Sequence, residues 1–320
     1  MRAELKTTLR LGAAAVVVVF VVRAIGINWA EIRDSAVSLR PDWTGMLLAS
    51  VCIAIGYAAL IASWRLLLRR WSSPLPVLDA TRIWFVSSLG KYVPGKVWAI
   101  GAMAVLAKQA GASPVAATGS SIIMQLVNIA AGFAVVALAG AGDLLVENPL
   151  LRVAAWVTLV ATTIGLAFGP VLLTWAVRTA ARILRQPPVA LPVISRGTLL
   201  LVFAANVAAW VAYGIGFGVF WRALLGHGGG ISAAALAVYT ASYLIGFLAI
   251  FAPGGIGVRE AALAGMLISL RLATPADAAL LAAASRVWLT VVEVLPGLAF
   301  LPGVSLRRRP SISHPDGPAA

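Results

Sequence analysis

Six ionisable side chains stand inside or beside long apolar runs, and their positions suggest two kinds of chemistry. Lys91 and Lys96 flank the break Pro94-Gly95. Arg259 and Glu260 follow a second break, Pro253-Gly254-Gly255-Ile256-Gly257. Arg286 and Glu293 lie seven residues apart in a later apolar run, so a helix shows both on one face. Holding any of these at membrane depth costs a few kcal/mol, roughly 3 per group, which makes each a candidate for function. A lysine beside freed backbone N–H groups and a helix start can seat a phosphate, and Lys91 and Lys96 are candidates for a lipid headgroup. The competing reading has both lysines snorkel to the interface. Glu260, in the first turn after its break, complements the helix dipole and is equally readable as a cap. Arg259 projects about 100° around the helix from it, towards a headgroup or an acid elsewhere. Arg286 is the fourth headgroup candidate. A crossed set of Arg259, Glu260, Arg286 and Glu293 is the simplest pairing, with Glu260 and Glu293 as ion-pair or gating acids, either a static staple or a gate that re-pairs. Gln125, Asn128 and Asn206 are weaker candidates, more typical of hydrogen bonds between helices.

The elements that position these groups follow from hydropathy. The 320 residues are 61% hydrophobic and 11% charged, against about 25% charged in globular domains. A bilayer is the solvent for such a chain. Apolar runs long enough to span lie near residues 9–27, 44–64, 115–140, 150–174, 197–221 and 278–302, given the roughly 20 residues a span requires. The stretches 77–112 and 231–271 carry the Pro-Gly breaks. The arms 77–90 and 96–110 are too short to cross and read as a re-entrant hairpin. In the second stretch the arm 231–251 is long enough to span by itself, whereas 256–270 is short. Leu11 to Val22, preceded by Arg2, Lys6 and Arg10, resembles a signal peptide, but no small-x-small cleavage site follows, and an uncleaved first span is expected.

Basic residues orient the chain. Arg2, Lys6 and Arg10, then Arg65 to Arg82, Arg178 to Arg196, and Arg307 to Arg309 fall on one side if each broken stretch returns to its starting side or crosses twice. The opposite loops hold most of the acids, including Glu31, Asp34, Asp143 and Glu147. The positive-inside rule then places both termini in the cytoplasm. It also accounts for the net charge of +14 without nucleic acid. The expected class is an all-α, polytopic integral membrane protein with six full spans plus two Pro-Gly-broken re-entrant hairpins, or eight or more spans if the breaks cross twice.

Each half, about 1–145 and 146–302, reads as span, span, broken hairpin, span, within one transmembrane domain 1–302 followed by a disordered cytoplasmic tail 303–320. An odd number of crossings per half inverts the second copy. Both breaks lead to a Met-containing helix and then to Ser113-Pro114 or Thr274-Pro275, a cap followed by proline at the first helical position. Inverted repeats with paired breaks point to transport, with the binding site at the breaks. Coincidence in an Ala/Gly-rich chain is the alternative.

Other chemistry finds no support in the sequence. The single cysteine, Cys52, rules out an internal disulfide and any multi-Cys metal site. No metal spacing and no Ser-His-Asp set is present, and His227 sits in a Gly-rich loop without neighbouring ligands. Neither Gly255-x-Gly257 nor Gly214-x-Gly216-x-Gly218 follows a strand, so neither is a dinucleotide loop; the latter reads as close helix packing.

Gly90-Lys91-Tyr92-Val93-Pro94-Gly95-Lys96-Val97-Trp98 and Pro253-Gly254-Gly255-Ile256-Gly257-Val258-Arg259-Glu260 resemble segments of the lysylphosphatidylglycerol synthase/flippase transmembrane family. The second motif is the more specific, and Lys96 and Trp98 depart from the commoner first motif. The resemblance implies a stand-alone, flippase-like protein of the bacterial inner membrane that lacks the synthase domain of bifunctional relatives and is not an enzyme. It implies movement of an anionic, modified or lipid-linked lipid between leaflets, membrane lipids as partners, and no cofactor. A membrane-embedded enzyme on a lipid-linked substrate, or a partner subunit of a lipid-modifying enzyme, are the alternatives.

Overall fold

Long apolar runs without proline or glycine clusters must close their backbone hydrogen bonds internally, and in lipid a helix does this within one segment. The computed structural model describes residues 41–92, 98–140, 149, 152–153, 156–157, 159–165, 168, 194–249 and 252–301. Every regular element among them is helical: α1 (Trp43–Arg70), α2 (Val77–Ser88), α3 (Trp98–Gln109), α4 (Pro114–Ala139), α5 (Arg196–Leu225), α6 (Ala233–Leu248), α7 (Val258–Ser269) and α8 (Pro275–Phe300). Two 3₁₀ turns, Leu89–Tyr92 and Pro253–Gly255, sit at the breaks. Helices α1, α4, α5 and α8 have 26 to 30 residues and apolar composition, and at 1.5 Å per residue each is about 39 Å or longer, enough to cross a core of about 30 Å. The protein is a polytopic membrane protein. The expected first span 9–27, the tail 303–320 and Pro94, Gly95 and Lys96 lie outside the described residues, as does most of 150–174.

The starts of α4 and α8 are fixed as their sequences require. Ser113 accepts from the Ala116 N–H and Thr274 from the Asp277 N–H, with Pro114 and Pro275 at the first helical positions. The broken stretches form pairs of short helices. Helices α2 and α3 have 12 residues each, and α3 returns to the end where α2 begins, because the Ser113 N–H donates to Ser73 Oγ at 3.3 Å. The two form a helical hairpin whose arms, at about 18 Å each, are shorter than a membrane crossing. The second stretch corrects one expectation. The arm 231–251 makes a helix of only 16 residues, about 24 Å and short of a full crossing. Ser232 caps its start, and at Ala249 (φ −67°, ψ 87°) the backbone leaves the helix ahead of Pro253.

The two halves run in opposite directions. Along α1 and α5 the contacts go from Asp42 N–H donating to Ala223 O at 2.7 Å, through Gly216 against the Ala49 carbonyl, to Gly56 against Tyr213. These two corresponding helices are therefore antiparallel, as an inverted repeat demands. Other pairings obey the same exchange: α4 lies on α6 as α8 lies on α2, and α3 lies on α4 as α7 lies on α8. Several relations are unequal: α6 lies more extensively on α5 than α2 does on α1, and the largest difference concerns α4 and α8. Helix α4 packs closely on α5, whereas α8 meets α1 chiefly through side chains, with Trp288 Nε1 donating to Ser50 Oγ at 3.0 Å. The Gly214-x-Gly216-x-Gly218 face serves packing, since a Cβ at Gly214 would stand 2.0 Å from Leu236 and one at Gly218 would stand 2.5 Å from the Gly230 carbonyl.

The return of the first hairpin is testable in a Cys52→Ala background. Single cysteines at Ser73 and Ser113 are expected to react with a membrane-impermeant maleimide from the same side of sealed vesicles. Labelling from opposite sides would mean that 77–112 crosses.

Candidate functional site

Broken backbone at membrane depth must be satisfied by protein or by a wet cavity. The turn Leu89–Tyr92, which precedes the first break, is in contact with Pro253–Gly255 of the second. The second break depends on glycine: Gly254, Gly255 and Gly257 have φ of 59°, 71° and 82°, a left-handed region costly to other residues. A Cβ at Gly255 would also lie 2.8 Å from the Gly246 carbonyl. The sharp turn aims α7 so that the Gly257 N–H donates to Glu260 Oε2 at 2.7 Å. Glu260 thus caps its own helix.

Between the breaks lies a cavity of about 270 Å³ walled by α1, both hairpins, α4, α5 and α8. Lys91, Arg259, Arg286 and Glu293 all face it, together with Gln125 and Asn128. Arg259, Arg286 and Glu293 are only 4%, 6% and 5% exposed, so their charges are answered by protein rather than bulk water. Glu293 is held by two groups: its Oε1 accepts from the Tyr57 hydroxyl and its Oε2 from the Lys91 ammonium. Lys91 comes from the first half and Glu293 from the second, and this ion pair bridges them.

Arg286 clamps the second break. Its Nη1 donates to the Gly254 carbonyl at 2.9 Å, and its Nε stands 3.5 Å from Glu260 Oε1, a charge contact longer than a hydrogen bond. The guanidinium of Arg259 lies 5.1 Å from the Tyr239 ring centre and 4.8 Å from that of Tyr243. Desolvated cation–π contacts of this kind are worth about 2 kcal/mol. Gly246 permits the approach, since a Cβ there would sit 2.7 Å from Arg259 Cβ. The Nη2 atoms of Arg259 and Arg286 are buried and lack hydrogen-bond partners among the described residues.

The expected four-residue set is therefore half altered. Arg286 and Glu260 do meet, but the partner of Glu293 is Lys91 from the other half, not Arg259. Lys96 lies outside the described residues. Asn206 is fully buried and accepts from Asn128 Nδ2 at 3.0 Å, joining α4 to α5. Hydropathy alone does not show the aromatic wall: Tyr57, Trp84, Trp210, Tyr213 and Tyr243 all line the cavity. Tyr239 and Tyr243, four apart on α6, carried a usable signal, because that spacing stacks two aromatic rings on one face. Among the described residues no group of His, Cys, Asp and Glu could hold a metal ion.

A model of the lysylphosphatidylglycerol synthase TM region matches residues 8–297. The chain belongs to that family. No curated protein matches it. The matched region is the family's membrane part, which makes this a membrane protein of lipid handling, and no catalytic domain is evident in it.

The Lys91–Glu293 bridge predicts coupled stability. Removing one partner of a buried pair typically costs about 3–5 kcal/mol, because the other charge is left uncompensated; Lys91, 29% exposed at its side chain, keeps the loss for Glu293→Gln towards the lower figure. Thermal unfolding in detergent is expected to show the double variant Lys91→Met/Glu293→Gln less destabilised than the sum of the two single changes. Strict additivity would remove the bridge as an energetic link.

Proposed function

We propose that the protein is a flippase-like translocator that receives the headgroup of an anionic phospholipid or lipid-linked substrate in the cavity between the two breaks. One observation carries this reading: Lys91, Arg259 and Arg286 converge on a single cavity inside a membrane-embedded fold, and both arginines keep a buried Nη2 without a partner among the described residues. An unpaired buried guanidinium donor is costly, and a phosphate oxygen entering the cavity would offset that cost with charge-assisted, geometrically specific hydrogen bonds.

The antiparallel halves support movement rather than static binding. In an inverted repeat the two halves can exchange conformations, and the unequal packing of α4 on α5 against α8 on α1 is the difference such an exchange would reverse. Within this reading the Lys91–Glu293 bridge is a gate, since a phosphate competing for Lys91 loosens the link between halves. Loop charge supports an inner-membrane location with both termini cytoplasmic.

Reconstitution in proteoliposomes tests the proposal. Arg259→Gln or Arg286→Gln is expected to reduce transfer of a headgroup-labelled anionic phospholipid to the rate of protein-free vesicles, with the variant still monodisperse in detergent. Normal transfer in both variants would sink the assignment.

A further inference from the structure

The two halves place cavity walls at corresponding positions, and the exceptions on α4 and α8 all point one way. The caps Asp42 and Ser195 set α1 and α5 in register, and Ser113 and Thr274 do the same for α4 and α8. In that register Tyr57 answers to Trp210, Gln125 to Arg286 and Asn128 to Leu289, and all six line the cavity. Four wall residues of α4 and α8 have no such match. Ser121 and Met124 of α4 line the cavity, while Ala282 and Ser285, their counterparts on α8, do not. Thr290 and Glu293 of α8 line it, while Ile129 and Gly132 of α4 do not. Helix α4 starts and α8 ends at the Arg70 end of the fold, since the Ser113 N–H meets Ser73 Oγ and the Phe300 ring lies 5.9 Å from the Arg82 guanidinium of α2. All four unmatched residues lie towards that end. The cavity is deep on the Arg70 side and shallow on the other.

On the shallow side α4 and Trp210 meet without a gap. At Gly132, where α8 carries Glu293, α4 has no side chain, and a Cβ there would lie 3.0 Å from both the Trp210 indole and Leu244. Trp210 is 1% exposed and donates from Nε1 to the Asn128 carbonyl at 2.9 Å. Tyr213 and Tyr243 stand edge-on to it, with ring centres 5.9 and 5.3 Å away. Its counterpart Tyr57 meets a carboxylate instead of bare backbone, donating to Glu293. One end of the cavity is closed by dry, close packing, and the other is spanned by polar groups. The unequal packing of α4 on α5 and α8 on α1 has the same sense.

We propose that Trp210 is the gate on the side away from Arg70, and that the cavity in this structure is reached from the Arg70 side alone. This rests on the translocator reading above and deepens it. A headgroup enters from the Arg70 side, and leaving on the other requires Trp210 to come off Gly132. In the exchanged state α4 stands off α5 while α8 closes on α1.

Sided labelling of the full-length protein in sealed vesicles tests the gate. The reporter is Met124→Cys in a Cys52→Ala background, probed with a membrane-impermeant methanethiosulfonate, with Ser73→Cys marking the Arg70 side. Met124→Cys is expected to react at least about tenfold faster from the Arg70 side, since a closed gate opens only in a minor population of at most about 10%. Trp210→Ala, or Trp210→Leu should the alanine variant fail to fold, is expected to make the rates from the two sides comparable. Comparable rates with Trp210 in place would overturn the proposal, as would no reaction from the Arg70 side or a folded Trp210 variant that stays one-sided. Assays of headgroup-labelled phospholipid transfer separate the two readings. One-sided labelling that the Trp210 variant relieves, with no lipid transferred by the unaltered protein, would remove the translocator and leave the gated cavity standing. Transfer with equal labelling from both sides would leave the translocator and remove the gate.

Discussion

Hydrocarbon cannot hydrogen-bond a broken backbone, and this constraint organises the molecule. Where the short helices stop, carbonyl and N–H groups are freed and must be covered by protein. The solution is mutual. The turns Leu89–Tyr92 and Pro253–Gly255 touch, Arg286 takes the Gly254 carbonyl, Glu260 takes the Gly257 N–H, and Gly297 of α8 lets Leu89 approach closely. Polar side chains brought in to satisfy the backbone then become the walls of a cavity. The candidate site and the covering of the freed backbone are one structure.

The inverted repeat follows from the same economy. Two halves with antiparallel direction bring the turns Leu89–Tyr92 and Pro253–Gly255 together, and the close α1–α5 crossing holds the halves in that relation. Small residues make the crossing possible: Gly45 against Ala223, Gly216 against the Ala49 carbonyl, Gly56 against Tyr213. In lipid, where apolar burial gives helices little reason to associate, such close backbone contact is a main source of cohesion. The charged bridge Lys91–Glu293 adds an ionic link between the halves.

Much of this was legible in the sequence because some residues have only one good use. Ser113-Pro114 and Thr274-Pro275 announce helix starts, and both helices begin there. Gly254, Gly255 and Gly257 announce left-handed backbone, and all three adopt it. The four long helices follow from hydropathy: each starts at its cap, Asp42, Ser113, Ser195 or Thr274, within a few residues of its apolar run, and α1 and α5 continue past the ends of theirs to Arg70 and Leu225. Partners were less legible. Glu293 was assigned to a set within the second half because Arg259, Glu260 and Arg286 are near in sequence, yet Lys91, 202 residues away, reaches it across the repeat. Seven-residue spacing shows which face a charge occupies and nothing about which half supplies its counter-ion. Tyr57, Tyr213 and Trp210 escaped notice for a similar reason: an aromatic in an apolar run reads as core or lipid-facing until a neighbouring helix turns it inward.

The central claim is that a lipid headgroup enters the space between the two breaks. A phospholipid carrying a photoactivatable group on its head, activated with the full-length protein in nanodiscs and followed by mass spectrometry of the adducts, tests it most directly. Adducts are expected on cavity residues such as Trp84, Met103 and Tyr243, depleted when unlabelled phosphatidylglycerol is added. Adducts confined to outward-facing positions such as Trp43, Leu47 and Leu138, with none in the cavity, would contradict it.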